Sequence, residues 1–134
     1  MDPQVVTLIE MGRQVSAPNY KRVELMRTDM WRRLRPILAA HDALICPTMA
    51  QPPHPAAKAD PPFVHRGPAD GYQASDMTGV FNMVSPCPVV SVPCGRHTRA
   101  IDAGLPIGLQ VVGRRWREDT VLRIARAVEL TTGP

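Results

Sequence analysis

The run "PCPVVSVPCG", residues 86–95, holds a serine between two cysteines, and three readings compete for it. It is a nucleophile site, a metal clip, or a strand that carries hydroxyl and thiol groups. A serine nucleophile needs a base within hydrogen-bond reach and donors for an oxyanion. Ser91 lies mid-run, with no glycine-rich turn to expose it, and the G-x-S-x-G elbow is absent from the chain. A strand serine bonded locally is the expectation. Cys87 and Cys94 have six residues between them, whereas zinc clips usually leave two to four. Cys46, His54, His65 and His97 add potential ligands without a supporting spacing. A catalytic cysteine with a distant histidine stays formally open, although small buried thiols are commoner.

The remaining reactive groups are as sparse. The only two lysines are Lys21, in a basic helix, and Lys58, in a proline-rich stretch. Neither has the desolvating surroundings that make a neutral base. Neither G-x-x-x-x-G-K-[ST] nor G-x-G-x-x-G occurs, so no phosphate cradle is written here. No catalytic residue, metal site or cofactor is expected within these residues.

The elements that would position any site follow from periodicity. Val5 to Gln14 reads as a short helix. Ser16 offers an N-cap, with Pro18 in the first turn. Tyr20, Val23, Met26, Met30, Leu34, Ile37 and Leu38 then recur at helical spacing, and Pro36 is expected to kink or end the helix. "ALIC" at 43–46 reads as a short buried strand stopped by Pro47. A proline-rich loop follows at about 47–70, holding seven of the 15 prolines; long loops of this kind are often ordered and functional. Tyr72 to Val84 reads as a helix weakened by Gly79, "PVVSVP" and "LPIGLQVVG" as strands, and Glu118 to Leu130 as an amphipathic helix. Strands this apolar suggest a sheet covered on both faces. Three strands with four helices are thin for a domain, and the strands look like part of a larger sheet.

A chain of 134 residues fits one domain. The net charge of +4, with six basic residues between Lys21 and Arg35, permits contact with RNA or an acidic partner. Aromatic residues make up only 4%, too few for base-stacking platforms, which disfavours nucleic acid. The start lacks the apolar core of a signal peptide, and no run approaches the ~20 apolar residues that span a bilayer. Three cysteines cannot all pair, which fits reduced thiols and a cytoplasmic setting.

Four stretches together resemble the C-terminal part of the amidase signature family: "GRQVSAPNYKRVELMR" (12–27), "HDALICPTMAQP" (41–52), "FNMVSPCPVVSVPCG" (81–95) and "GLPIGLQVVGRRWREDTVLRIARAVE" (104–129). The resemblance covers nearly the whole chain and implies an α/β fold, a few mixed β-strands covered by helices, as a single segment over residues 1–134. Family members hydrolyse or transfer amides through a serine, a bridging serine in a cis peptide linkage, and a lysine, with oxyanion donors from a glycine- and serine-rich loop. None of those parts occurs in this sequence, so no catalytic residue carries over. The resemblance implies a piece of an amide hydrolase that contributes sheet and pocket wall and is inactive alone: a fragment, a truncated product, or one half of a split enzyme.

By the same resemblance Thr48, Met49, Met77, Phe81 and Asn82 lie near the small-amide substrate, although Met77 and Phe81 also fit a core and Thr48 and Asn82 also fit local caps. Ser85-Pro86-Cys87 departs from the commoner pattern after F-N and looks like a sub-branch. In the A subunits of tRNA-dependent amidotransferases an acidic residue upstream of the asparagine binds the amino-acid substrate, and Asp76 lies close to that place. Two other readings therefore stand beside the first: an A-type polypeptide of such an amidotransferase, or a non-catalytic module that binds a partner or RNA. Implied partners are the missing N-terminal amidase portion or a second copy of the chain. An open sheet edge would make the isolated chain prone to pairing, aggregation or marginal folding.

Overall fold

The computed structural model describes residues 3–50, 77–84, 87–98 and 103–132. Most of the proline-rich loop, residues 72–76 of the helix expected at 72–84, and His54, Lys58, His65 and Asp76 lie outside the described residues, and the described part of that expected helix is helical only over Gly79–Asn82. The element order is α1 (Pro3–Arg13), α2 (Ala17–Ala40), β1 (Ala43–Pro47), α3 (Gly79–Asn82), β2 (Val89–Arg96), β3 (Pro106–Gly113) and α4 (Glu118–Thr132).

Ser16 starts α2 as its sequence suggests. Its backbone is extended, and its hydroxyl accepts from the Asn19 amide at 3.4 Å, which satisfies one orphan donor of the first turn. Pro36 does not end α2, which runs on to Ala40. The missing donor removes one bond from a 24-residue helix, and the turns beyond it are anchored. Leu38 is buried, and Arg114 donates from Nε to the Leu38 carbonyl at 2.6 Å and from a terminal nitrogen to the His41 carbonyl at 3.2 Å. The other end of the helical pair is open. Val5, Leu8, Ile9, Val23 and Met26 are all exposed.

The sheet has the order β1-β3-β2, with the last strand in sequence at its centre. Both pairings are antiparallel: Ile45 faces Val111, which faces Val90, and Cys46 faces Gln110, which faces Ser91. The three described strands are thus antiparallel throughout, within the α/β class expected. Because successive side chains alternate, Ile45, Val111 and Val90 share one face, and Cys46, Gln110 and Ser91 the other. The second half of β3 is sealed on both, with Gln110, Val111 and Val112 at zero exposure, while Pro106 and Ile107 at its start are exposed.

The flanking strands correct the expectation of full cover. β1 is an edge strand with Ile45 57% exposed, and Val89, Ser91 and Pro93 of β2 are exposed as well. Apolar composition records a strand's capacity for burial, but cover has to come from other elements, and the described residues supply too few layers. Both edges carry proline, Pro47 and Pro93, and β2 shifts register between Pro93 and Arg96. These features are typical of edges, where a missing ladder donor is tolerated. No helix among the described residues is long and apolar enough to cross a membrane.

α4 lies on the face that holds Val111, with Val121 and Ala125 buried against the sheet. Gly113 makes the approach possible, because a methyl group there would overlap the Val121 side chain. At the helix start, the Arg117 guanidinium binds both Asp119 carboxylate oxygens, at 2.8 and 2.9 Å. This pairing, followed by smaller local backbone bonds, holds the Asp119 carboxyl down at about 2 against an ordinary 3.8.

Two outcomes follow. Gly113→Ala should lose about 1–3 kcal/mol in urea unfolding, the usual cost of overpacking. The stabilising effect of the depressed Asp119 carboxyl is fully present above its ordinary value and fades as pH falls from about 4 towards about 2. In Arg117→Ala, carboxyl NMR titration should find the Asp119 midpoint moved up towards its ordinary value.

Candidate functional site

The face of the sheet opposite α4 gathers the polar groups. β1 ends at Pro47, and Thr48 extends its pairing by donating its amide to the Gly108 carbonyl at 2.8 Å. The Thr48 carbonyl then accepts the Met77 amide at 3.2 Å, which ties the turn after β1 to the segment ahead of α3. Above Gly108, the hydroxyls of Thr48 and Ser91 meet at 2.6 Å across the central strand. Gly108 is required for that meeting. A Cβ there would stand 2.9 Å from Thr48 Oγ1 and 3.2 Å from Ser91 Oγ. Ser91 is thus hydrogen-bonded, but to a partner 43 residues away instead of its own neighbourhood.

Next along β3, Gln110 is fully buried and faces Cys46 and Ser91 in register. Its Nε2 donates to the Pro47 carbonyl at 3.0 Å and to the Met77 carbonyl at 3.2 Å. Its Oε1 has no donor among the described residues. Burial pushes the Cys46 thiol above its ordinary range, and the neighbouring Gln110 amide partly offsets this. The thiol is therefore held protonated, the inert state for such a group.

Of the residues singled out in the sequence, Thr48 and Met77 are brought into direct contact, with Met49 exposed beside Thr48. Phe81 is half-buried within α3, and Asn82, at the end of that helix, is exposed. Two residues central to this region were not singled out as a site, Gln110 and Gly108. The signal was available for Gln110, because a carboxamide inside "GLQVVG" must find partners once buried. Gly108 gave none, since its role depends on two side chains from other strands.

The arrangement offers neutral hydrogen-bonding groups: two hydroxyls, one carboxamide and several backbone groups. Ser91 has another hydroxyl as its partner, with no base beside it among the described residues. No group of three or more His, Cys, Asp and Glu capable of holding a metal occurs among the described residues, and Cys46, Cys87 and Cys94 are free thiols. Chemically, the described groups can donate and accept hydrogen bonds with a polar group.

Comparison with known proteins gives this surface a context. The amidase family profile matches residues 1–122, and the chain belongs to the amidase family. It is similar to the A subunit of the glutamyl-tRNA(Gln) amidotransferase of Brevibacillus brevis, 37% identical over 114 residues that cover 85% of this chain and 21% of that protein. The corresponding polypeptide of Treponema denticola is 28% identical over 120 residues, covering 89% of this chain and 22% of its own. The chain thus spans about a fifth of the length of these curated relatives. A solved crystal structure of an amidase superposes with a TM-score of 0.78 at 24% identity, over 99% of this chain and 29% of that one. That superposition establishes the shared fold.

Replacement of Gln110 tests the clamp. Gln110→Ala should cost about 2–4 kcal/mol in urea unfolding, since two carbonyls lose a donor and a void remains in a fully buried position. Gln110→Met keeps most of the volume and should still cost about 1–3 kcal/mol, the part due to hydrogen bonding.

Proposed function

We propose that this chain is the C-terminal part of an enzyme acting on amide C–N bonds, and that it supplies sheet and one wall of the substrate pocket. The nucleophile and its base come from polypeptide outside these 134 residues. The observation that carries this reading is the family match over residues 1–122, on a chain whose polar face has hydroxyls and carbonyls but no base among the described residues. Thr48, Met49, Met77, Phe81 and Asn82 form the wall in this reading, with Asn82 and the Thr48 hydroxyl facing the amide and Met49, Met77 and Phe81 its apolar part. The exposed apolar residues of α1 and α2 and the bare face of β1 are the surfaces on which the remaining amidase polypeptide, or a second copy of the chain, would pack. Three free thiols suit a reducing compartment, the cytoplasm.

A second reading has specific support in the names of the relatives, which are A subunits of glutamyl-tRNA(Gln) amidotransferases. Under it the substrate carries an amino-acid group and the pocket needs an acidic contact near Asn82. Both readings share the same wall.

The experiment pairs this chain with the N-terminal portion of a family member and follows release of ammonia from a simple carboxamide. The chain alone should give no turnover, and the pair should. In the active pair, Asn82→Ala should raise KM about threefold to tenfold, the cost of one hydrogen bond. Turnover by the chain alone, abolished by a serine-directed reagent, would overturn the proposal. So would an active pair indifferent to every wall substitution.

A further inference from the structure

We propose that a cleft between α2 and the turn joining β3 to α4 binds an oxyanion, a carboxylate or a phosphate group, with Arg115 as the principal donor. The cleft has a volume of about 270 Å³. α2 lines it with Glu24, Arg27 and Trp31, at the three- and four-residue spacing of one helix face, and Met83, Val84 and Arg115 close the opposite side. It lies beyond the far end of α3 from Met77, and it owes nothing to the amide-cleaving reading.

The case rests on how each charge in the cleft is used. Arg27 is satisfied: its Nε donates to the Met83 carbonyl at 2.9 Å and a terminal nitrogen to Glu24 Oε1 at 2.7 Å. Among the described residues that line the cleft, Glu24 is the one carboxylate, and one of its oxygens is engaged by Arg27. Arg115 has no such partner among them. Its guanidinium carbon sits 3.8 Å from the centre of the Trp31 ring, and its Nε is buried without an acceptor among the described residues. The other group it meets is the Cys87 thiol, which burial pushes up and Arg115 draws part of the way back. Its neighbours Arg114 and Arg117, by contrast, are engaged by backbone carbonyls and by Asp119.

A half-buried guanidinium always carries its charge and presents five donors. Leaving such a group without an acceptor is costly, so its pairing is a strong requirement of the site. Stacking on Trp31 restrains the plane of the fork, which suits contact of its terminal nitrogens with a carboxylate or phosphate. Two guanidinium groups against one carboxylate leave the cleft with a positive charge, which complements an anion. A volume of about 270 Å³ exceeds what several waters occupy at about 30 Å³ each, which is room for an oxyanion.

The test uses Trp31 as reporter in a Trp116→Phe background, which leaves one tryptophan in the chain. Inorganic phosphate and, separately, acetate are titrated into the 134-residue chain at an ionic strength held constant with sodium chloride. A saturable change in Trp31 emission is expected with at least one of them, and which one identifies the preferred oxyanion. Arg115→Gln should weaken that binding at least tenfold. Arg115→Lys, which keeps the charge but loses the fork, should weaken it several-fold. Arg117→Gln, an equal loss of charge a short way along the chain, should leave it unchanged. The side-chain Nε–H resonance of Arg115, followed by NMR in the chain without substitution, should shift on titration, and this readout stands even if a variant fails to fold. No saturable response to either anion would overturn the proposal, as would an equal response in Arg115→Gln and Arg115→Lys.

Discussion

The carboxamide of Gln110 holds together two parts of the chain that lie far apart in sequence. It sits on the central strand, fully buried, and reaches the Pro47 carbonyl at the end of β1 and the Met77 carbonyl ahead of α3. A buried carboxamide needs partners, and a buried polar group left unpaired costs on the order of 1–3 kcal/mol. The two carbonyls meet that need for its nitrogen. The position of Thr48, its hydroxyl contact with Ser91 and the placement of the α3 segment all depend on this bridge.

Around that bridge the sheet is built by close approach. Gly108 gives up a side chain so that hydroxyls from two other segments can touch, and Gly113 gives one up so that α4 can bring Val121 onto the sheet. The two glycines serve different kinds of contact: one makes room for a polar meeting, the other for an apolar one. Burial is concentrated along β3 and the inner face of α4, while β1, β2 and the outer helices keep large apolar side chains exposed. An arrangement with a small dense centre and unsatisfied margins is what a share of about a fifth of a relative's length would be expected to contain.

Under the proposed function the work of the enzyme is divided in a physically sensible way. Positioning groups can be neutral hydroxyls and amides held by a rigid sheet. Proton transfer and nucleophilic attack need a base whose charge state is tuned by its surroundings. Neutral hydroxyls of this kind meet at Thr48 and Ser91, held in place by the sheet, and no base stands beside them among the described residues. The cleft at Arg115 follows another logic, since a cation stacked on an aromatic ring and short of acceptors is a recognition device for anions.

How much of this was legible beforehand differs by element, for physical reasons. Local signals located α1, the Ser16 cap, the extent of α4 and the identity of β2 and β3, because capping, periodicity and strand composition act over a few residues. The family resemblance carried the α/β class and membership of the amidases, since the motifs at 81–95 and 104–129 keep their order and spacing. Of the two outcomes expected at Pro36, a kink or an end, the helix does not end there, because a single lost bond is outweighed by tertiary anchoring at Leu38 and Arg114. "ALIC" misled: its apolar composition suits burial, but whether a strand is covered depends on neighbours that its own residues do not encode. Composition and local chemistry were thus determined by the sequence itself. The order β1-β3-β2, the partners of Gln110, the meeting of Thr48 with Ser91 and the stacking of Arg115 on Trp31 were decided only in three dimensions, because each depends on groups distant in the chain that only the fold brings within reach.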